Sequence, residues 1–251
     1  MNREESEKVL YCAMSIGEQL LMSGAEVSRV EDTIRRICLA YGATRVDVFS
    51  ITSSIVTTMF LPDLKSCTQS RRVSSMKNDF TKLDALNQLS RWICAERPQP
   101  QAILDKLDEI QRGPSYGFVV QFLVYATISG SFAVFFGGDW RDMLASAVIG
   151  ILLKCFESFI RRGSVNALFS ALLCSSAGGL LARLAVRLHL GTHADLISIG
   201  NIMLFIPGIM FTNSLRDLFS GDTITGLIRF AESLLLAVIV ALGFTIAGFL
   251  F

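Results

Sequence analysis

The pattern of apolar and polar positions divides the chain near residue 113. Before this point, apolar residues recur at helical spacing in short segments, and one region alternates with a period of two. After it, long apolar runs dominate and charged residues become sparse. We therefore predict an α+β domain over residues 1–113, followed by an all-α membrane domain over residues 114–251.

The first half shows signals for four helices and three strands. Apolar stripes predict helices over residues 9–20, 27–41, 80–93 and 103–110. Alternation and β-branched residues predict strands over residues 44–49, 53–60 and 67–73. Ser23 and Glu26 have the spacing of a capping box, in which each side chain bonds to the backbone of the other residue, and Gly42 ends the second helix. Together these elements predict a compact cytoplasmic domain.

The second half contains five apolar segments, each near the roughly 20 residues that a spanning helix requires. They cover residues 118–136, 143–160, 167–188, 196–215 and 229–251. Most arginines at the joints fall on the side of residues 1–113, which predicts that the N-terminus is inside and the C-terminus outside. No secretory signal is recognisable at the N-terminus, so we expect that part to stay in the cytoplasm.

The fourth apolar segment is interrupted at Pro207 and Gly208. Proline removes a backbone donor and disrupts the preceding helical turn. At membrane depth, the freed backbone groups need shelter in protein or in a wet cavity. A broken membrane helix that leads directly into charged residues is typical of solute sites in transporters. The residues alone also allow a plainer interpretation, a kinked helix followed by a solvated loop.

The transporter interpretation assigns two groups of residues near this break. The predicted substrate-binding residues are Asn201, Pro207, Gly208, Thr212, Asn213 and Arg216. Arg216 is the proposed carboxylate ligand, because a guanidinium group can donate two parallel hydrogen bonds. The candidates for carrying a coupling proton are Asp217, Asp222 and Glu232.

A second charged motif lies at the start of the second predicted helix. It comprises Gly24, Glu26, Arg29, Glu31 and Asp32. Arg29 and Asp32 are three residues apart, which predicts an ion pair. Carboxylates at a helix start usually serve the helix dipole, and the first half contains no histidine or nucleophile elbow. Catalysis in this domain is therefore disfavoured.

Composition excludes several other classes of function. The net charge of +1 gives no nucleic-acid footprint. None of the six cysteines forms a Cys-x-x-Cys pair, so we expect no metal site and no cofactor. His189 and His193 are interpreted as parts of a solvated loop. Lys154 and Glu157 are charges within an apolar segment, three residues apart, and are expected to pair.

Two separated motifs carry a resemblance to a known family. The first covers residues 24–34, and the second covers residues 206–218 with Gly221, Asp222 and Gly226. They resemble the signatures of the threonine/serine exporter family, and the likeness extends over nearly the whole chain. The resemblance implies a cytoplasmic N-terminal domain, five membrane helices and a place in the bacterial inner membrane.

Long members of that family carry a second five-helix region. This chain resembles the split form, which implies a short five-helix membrane protein of the same family as partner, and a homo-oligomer is also possible. The resemblance implies export of threonine and serine driven by the proton motive force, or of a dicarboxylate such as succinate. It also suggests hydrolase-like character in the cytoplasmic domain, which the residues support weakly.

The main alternative is a membrane-anchored cytoplasmic enzyme or sensor, with the helices as a platform. In that case the charged motif at Glu26, Arg29 and Asp32 would be essential, while Arg216 would be dispensable. A passive channel or an assembly scaffold is a third possibility.

Overall fold

The amphipathic stripes of the first half form four helices around a small sheet. The computed structural model describes residues 3–63, 65–74, 78–113, 116–163 and 165–249. In the first half the elements are α1 (Arg3–Met22), α2 (Val27–Ala40), β1 (Arg45–Ile51), β2 (Ser54–Phe60), β3 (Ser66–Arg72), α3 (Phe80–Glu96) and α4 (Pro100–Gln111). The predicted helices and strands of this half are confirmed. Asn2, Pro114 and Ser115 lie outside the described residues.

The three strands form an antiparallel sheet in the order β1-β2-β3. The registers place Phe49 opposite Val56 and Met59 opposite Cys67. Ile55 and Met59 on β2 are fully buried, and they join the apolar core with Leu10, Met14 and Ile34. One face of the sheet is therefore covered by helices, as the period-two pattern predicted.

In the part of the apolar half that the structure describes, every regular element is a helix. Its elements are α5 (Phe118–Phe135), α6 (Trp140–Arg162), α7 (Ala167–Arg187), α8 (Ala194–Ile202), α9 (Gly208–Phe219) and α10 (Thr223–Phe249). Among the described residues, four helices are long and apolar enough to cross a membrane: α5, α6, α7 and α10. The predicted fourth segment instead forms two shorter helices, α8 and α9, on either side of Pro207.

Residue contacts divide the chain into two units. The first unit contains Met1–Pro114 and Thr212–Arg229, and the second contains Ser115–Phe211 and Phe230–Phe251. The charged corner between α9 and α10 thus belongs to the same unit as the sheet, although it follows the apolar segments in sequence. The division of the chain at residue 113 stays a prediction.

Small and polar side chains fill the interior of the second unit where α5, α6 and α8 meet. Ser146 Oγ donates to the carbonyl oxygen of Ser129 at 3.0 Å, and Asn201 Nδ2 donates to Ser146 Oγ at 3.2 Å. Gly200 lies so close to α5 that a Cβ there would be 2.5 Å from the Ser129 oxygen. These contacts require a glycine at position 200, because any side chain would strike backbone atoms.

The interpretation of His193 as part of a solvated loop is confirmed, because the residue precedes α8 and its side chain is 51% exposed, but this side chain also contacts α6. Its Nδ1 lies 2.8 Å from Oδ2 of Asp142, and the backbone N–H groups of Thr192 and His193 donate to Oδ1 of the same carboxylate. Asp142 is fully buried in the first turn of α6, where it also completes a capping box with Asp139. A buried carboxylate needs such donors, so it draws the segment before α8 onto α6.

This contact makes a pH-dependent contribution to stability. The hydrogen bond to Asp142 raises the pKa of His193 above its ordinary value. The stabilisation is therefore fully present below about pH 6.5, the ordinary histidine pKa, and is lost as pH rises through the raised pKa. We expect the melting temperature of the full chain in detergent to fall over that range, and to fall less in His193→Gln. His189→Gln is the matched control, and an unchanged profile in His193→Gln would contradict the pairing.

Candidate functional site

The corner between α9 and α10 is built by a close helix–helix approach. Gly226 on α10 lies against α9, and a Cβ there would be 2.8 Å from the backbone nitrogen of Leu218 and 3.0 Å from the Ser214 oxygen. A backbone hydrogen bond closes the turn between α9 and α10: the N–H of Asp222 donates to the carbonyl oxygen of Asp217 at 3.0 Å. This approach brings residues of α9 and α10 that are twelve positions apart into contact.

A buried ion pair joins the two helices at this corner. Nη1 of Arg229 donates to Oδ2 of Asp217 at 2.9 Å, and the two side chains are 3% and 2% exposed. Nη2 of Arg229 also lies 3.5 Å from the carbonyl oxygen of Ala25, in the turn before α2. The pair therefore ties α9 and α10 to one another and to the turn between α1 and α2.

Arg216 and Glu26 form a second, more exposed ion pair beside the first. Nη1 of Arg216 donates to Oε1 of Glu26 at 2.5 Å, and the side chains are 63% and 32% exposed. The residues are 190 positions apart in sequence. The two motifs that carry the family resemblance thus meet at one place within the first unit.

The predicted capping box at Ser23 and Glu26 is wrong. Glu26 is the N-cap residue of α2, and its side chain makes no capping hydrogen bond. It accepts from Arg216 instead, and Gly24 forms a left-handed turn with φ of 93° just before it. Because α2 begins at Val27, Ser23 is not its N-cap residue and Glu26 is not at the third helical position, as a capping box requires.

The rest of the N-terminal motif serves other contacts. Oε1 of Glu31 accepts from the backbone nitrogen of Ser50 at 2.8 Å, which attaches α2 to β1. Asp32 pairs with Arg36 at 2.7 Å, so the predicted pair between Asp32 and Arg29 is wrong. The i,i+4 spacing on a helix suits an ion pair at least as well as i,i+3. Arg29 is exposed on the surface of α2.

Burial raises the pKa of the Asp217 carboxyl above its usual value. The attraction of Arg229 opposes this shift, whereas Asp222 adds to it. A carboxyl group with a raised pKa exchanges protons closer to neutral pH than an exposed one does. Proton uptake at Asp217 as a step of transport stays a prediction.

The structure brings together only part of the predicted site. Arg216, Asp217 and Asp222 share the corner, and Thr212 and Asn213 precede them on α9 in the same unit. The other predicted residues, Asn201, Pro207, Gly208 and Glu232, belong to the second unit. Asn201 is fully buried there, and its Oδ1 is without a hydrogen-bond partner among the described residues. Glu232 is exposed on α10.

Sequence reasoning missed Arg229 as part of the site. The available signal was its position twelve residues after Asp217, across a turn containing Gly221. It also missed Tyr125, whose hydroxyl donates to Oε2 of Glu157 at 2.7 Å. The predicted pair of Lys154 and Glu157 is confirmed at 3.1 Å.

Comparison with known proteins identifies the family of this chain. The family described as putative threonine/serine exporter matches residues 11–251. The chain belongs to this family. Family membership, together with the four helices among the described residues that are long and apolar enough to cross a membrane, makes it a multi-pass membrane protein.

Individual relatives of this exporter-family chain are distant in sequence. A threonine/serine exporter of Corynebacterium glutamicum is 29% identical over 234 residues, which cover 90% of this chain and 48% of that protein. A probable threonine/serine exporter of Mycobacterium tuberculosis is 23% identical over 247 residues, covering 96% of this chain and 46% of that protein. The chain therefore spans less than half the length of these two exporters.

A third relative comes from a eukaryote. An uncharacterised protein of Schizosaccharomyces pombe is 25% identical over 190 residues, which cover 72% of this chain and 22% of that protein. No solved structure shows a significant match to this exporter-family chain.

Proposed function

We propose that this chain is a subunit of a secondary-active exporter for small carboxylate-bearing metabolites, threonine and serine or a dicarboxylate such as succinate. The observation that carries the proposal is the contact between the two family motifs at the corner of Arg216 and Glu26. Arg216 is sufficiently exposed to meet a solute, and a guanidinium group can exchange one carboxylate partner for another. The substrate carboxylate thus replaces Glu26 on Arg216.

The buried pair beside it supplies a coupling residue. We propose that Asp217 takes up the coupling proton, with Asp222 adjusting its affinity by repulsion. Arg229 remains charged and holds Asp217 in place between cycles. Substrate binding at Arg216 and proton uptake at Asp217 would then take place at neighbouring residues of α9.

We further propose that the membrane part has five crossings and is completed by a short five-helix protein of the same family. The broken fourth segment, residues 196–215, supplies the additional crossing beside the four long helices. Only 17% of the apolar window of α5 is buried, so this helix exposes much apolar surface for lipid or a partner to cover. Copurification of the two proteins from a shared membrane tests this point.

The proposed location is the bacterial inner membrane, with the N-terminus inside and the C-terminus outside. It is supported by the arginines at the joints on the side of residues 1–113. Reporter fusions at residue 113 and after residue 249 test the orientation. Cytoplasmic activity from both fusions would contradict it.

Counterflow in proteoliposomes that contain this chain and the short partner tests export directly. Labelled serine, threonine and succinate are the solutes. We expect Arg216→Ala to lower the initial rate by at least about tenfold, because a lost charge-assisted hydrogen bond costs about 1.5–3 kcal/mol and 1.4 kcal/mol corresponds to a factor of ten. The control is Arg112→Gln, because Arg112 is an exposed arginine at the C-terminal end of α4 that pairs with Asp108 at 2.6 Å. An unaltered rate in Arg216→Ala would overturn the role of this residue.

The alternative function, a membrane-anchored enzyme or sensor, predicts the reverse pattern. It is favoured by a pocket of about 650 Å³ beside α1, lined by Lys8, Tyr11 and Gln69 among others. Because Glu26 bonds to Arg216, a change at Glu26 disturbs both candidate functions and does not separate them. The double variant Arg29→Gln/Asp32→Asn leaves that bond in place, so it is the informative test. Loss of function there, with Arg216→Ala active, would support the alternative.

A further inference from the structure

The second unit contains a pocket that neither the broken helix nor the charged corner explains. Its volume is about 550 Å³, and residues of α7, α8 and α10 line it. Gly179 on α7 and Phe244 on α10 supply an apolar wall, where a Cβ on Gly179 would lie 3.2 Å from the Phe244 ring. The size of the pocket is within the range of ligand sites.

Two arginines line this pocket from α7. Arg187 is the last residue of that helix, and Arg183 lies one turn earlier, about 6 Å deeper along the helix axis. Nη1 of Arg183 donates to the carbonyl oxygen of Gly248 on α10 at 2.8 Å. That bond uses one of the five N–H groups of the guanidinium and holds the side chain at the pocket. The guanidinium group is thus fixed in place, with further N–H groups to donate to an anion.

The side chains that line the pocket leave an excess of one positive charge. Arg183 and Arg187 are cationic, and Asp195 in the first turn of α8 is anionic. A ligand with one negative charge balances this excess, whereas a dicarboxylate carries two and a zwitterion has no net charge. Oγ of Ser198, also in the pocket, donates to the carbonyl oxygen of Ala194 at 2.7 Å, so its lone pairs remain acceptors. The pocket therefore favours a monoanion that carries hydroxyl donors for Asp195 and Ser198.

The pocket lies at the level where a bilayer has its phosphate groups. α7 is long and apolar enough to cross a membrane, and Arg187 ends it. Exposed apolar side chains lie on the same helices at this level, Leu184 and Leu188 after α7 residues of the pocket, and Ile246 and Phe249 beside Gly248 on α10. Such side chains face acyl chains in a membrane protein. A phospholipid can therefore place its phosphate at the arginines while its acyl chains lie against α7 and α10.

We propose that this pocket binds the headgroup of a monoanionic phospholipid with hydroxyl groups, of the phosphatidylglycerol type. The phosphodiester accepts hydrogen bonds from Arg183 and Arg187, because guanidinium and phosphate groups form strong paired bonds. The glycerol hydroxyls of the headgroup donate to Asp195 and Ser198. A charge within an apolar helix is costly, and basic residues are sparse on the outer side of a membrane, where the proposed orientation puts this end of α7. The lipid phosphate supplies the partner that stabilises both arginines there.

The test uses the purified full chain in phosphatidylcholine nanodiscs that contain increasing fractions of phosphatidylglycerol. A ligand that binds only the folded state stabilises it according to the ratio of its concentration to the dissociation constant. We therefore expect the melting temperature to rise with the phosphatidylglycerol fraction and then to saturate. Phosphatidylethanolamine, which has the same phosphodiester but no net charge, should give no saturable rise. An equal rise with phosphatidylethanolamine, or no rise with phosphatidylglycerol, would overturn the proposal.

Variants locate the lipid within the chain. Arg183→Gln and Arg187→Gln are each expected to raise the half-saturating phosphatidylglycerol fraction by at least about tenfold, because each removes charge-assisted hydrogen bonds to the phosphate. Arg141→Gln is the matched control, since Arg141 is an exposed arginine at the start of α6, an end that the same orientation puts outside. Unchanged half-saturation in both pocket variants, or an equal change in Arg141→Gln, would refute binding at this pocket. If Arg183→Gln fails to fold, Arg187→Gln and the lipid series decide the matter.

A soluble phosphate compound is the other source of the same chemistry. Inorganic phosphate and glycerophosphoglycerol, the headgroup without acyl chains, are therefore added to the chain in phosphatidylcholine nanodiscs. No stabilisation at millimolar concentration supports the lipid, whereas saturable stabilisation by either compound that is lost in Arg187→Gln would identify a soluble phosphate ligand and overturn the lipid assignment. Lipid binding at this pocket is independent of the exported solute. Absence of counterflow would thus contradict export only, and absence of lipid-dependent stabilisation would contradict the lipid site only.

Discussion

Replacing Arg229 with methionine is expected to destabilise the protein by about 3–5 kcal/mol, because it leaves the buried carboxylate of Asp217 without its partner. The side chains of Arg229 and Asp217 are almost fully buried, at 3% and 2% exposure, and Nη1 of Arg229 lies 2.9 Å from Oδ2 of Asp217. At about 2–4 °C per kcal/mol, the melting temperature of the full chain in detergent should fall by roughly 6–20 °C. Such a loss would show that the corner of α9 and α10 depends on this contact.

The loss in Arg229→Met should also depend on pH. Burial already raises the pKa of Asp217, and removal of Arg229 takes away the attraction that opposes the shift. The penalty is therefore smallest below the ordinary aspartate pKa and grows as pH rises through the raised value. Melting curves between pH 5 and pH 8 measure this trend. A larger loss at the acidic end would contradict the burial of an unpaired carboxylate.

Two control variants distinguish the cost of leaving a buried charge unpaired from the cost of losing an ion pair. Arg216→Met removes the exposed neighbouring pair, and exposed pairs contribute only about 0–1 kcal/mol. The double variant Asp217→Leu/Arg229→Met replaces both buried charges by apolar groups, which is often close to neutral. It should therefore recover much of the stability. A melting temperature of Arg229→Met within two degrees of the unaltered protein would refute the buried pair.

The second large effect is expected at Gly200. A valine there would bring Cβ to 2.5 Å from the Ser129 carbonyl oxygen and 2.6 Å from Ser146 Oγ. The backbone oxygen cannot rotate away, so α8 must separate from α5, at a cost of about 3 kcal/mol for overpacking. The melting temperature and the monodisperse fraction after purification measure the loss.

Gly117→Val is the matched control for Gly200→Val. A Cβ at Gly117 would meet no heavy atom within 4 Å, and its extended backbone accepts a β-branched residue. The combination Gly200→Val/Ser146→Ala tests which contact dominates. It should recover little, because the clash with the Ser129 oxygen remains. Equal melting temperatures for Gly200→Val and the unaltered chain would refute the close approach of α5 and α8.

The local elements of this protein followed from its sequence. The stripe from Val27 to Tyr41 predicted α2, and the alternation before Phe60 predicted the sheet, because each period exposes one face of an element to the core. The break at Pro207 was also readable, since a proline ring is incompatible with an uninterrupted helix. The two family motifs were readable as well, and the family match confirms the resemblance. Their roles in transport stay predictions.

Partner choice among charged side chains was decided only by tertiary structure. Glu26 was predicted to cap its own helix, yet it bonds to Arg216. His193 is an exposed loop residue as predicted, but its contact with the buried Asp142 was not predicted. Spacing rules describe contacts within one helix, whereas these pairs join residues brought together by the packing of distant segments. An unpaired charge is costly away from water. A buried carboxylate therefore pairs with the donor that the packing of the chain brings within reach. The sequence by itself therefore determined the helices, the strands and the family, and the packed chain determined which charges meet.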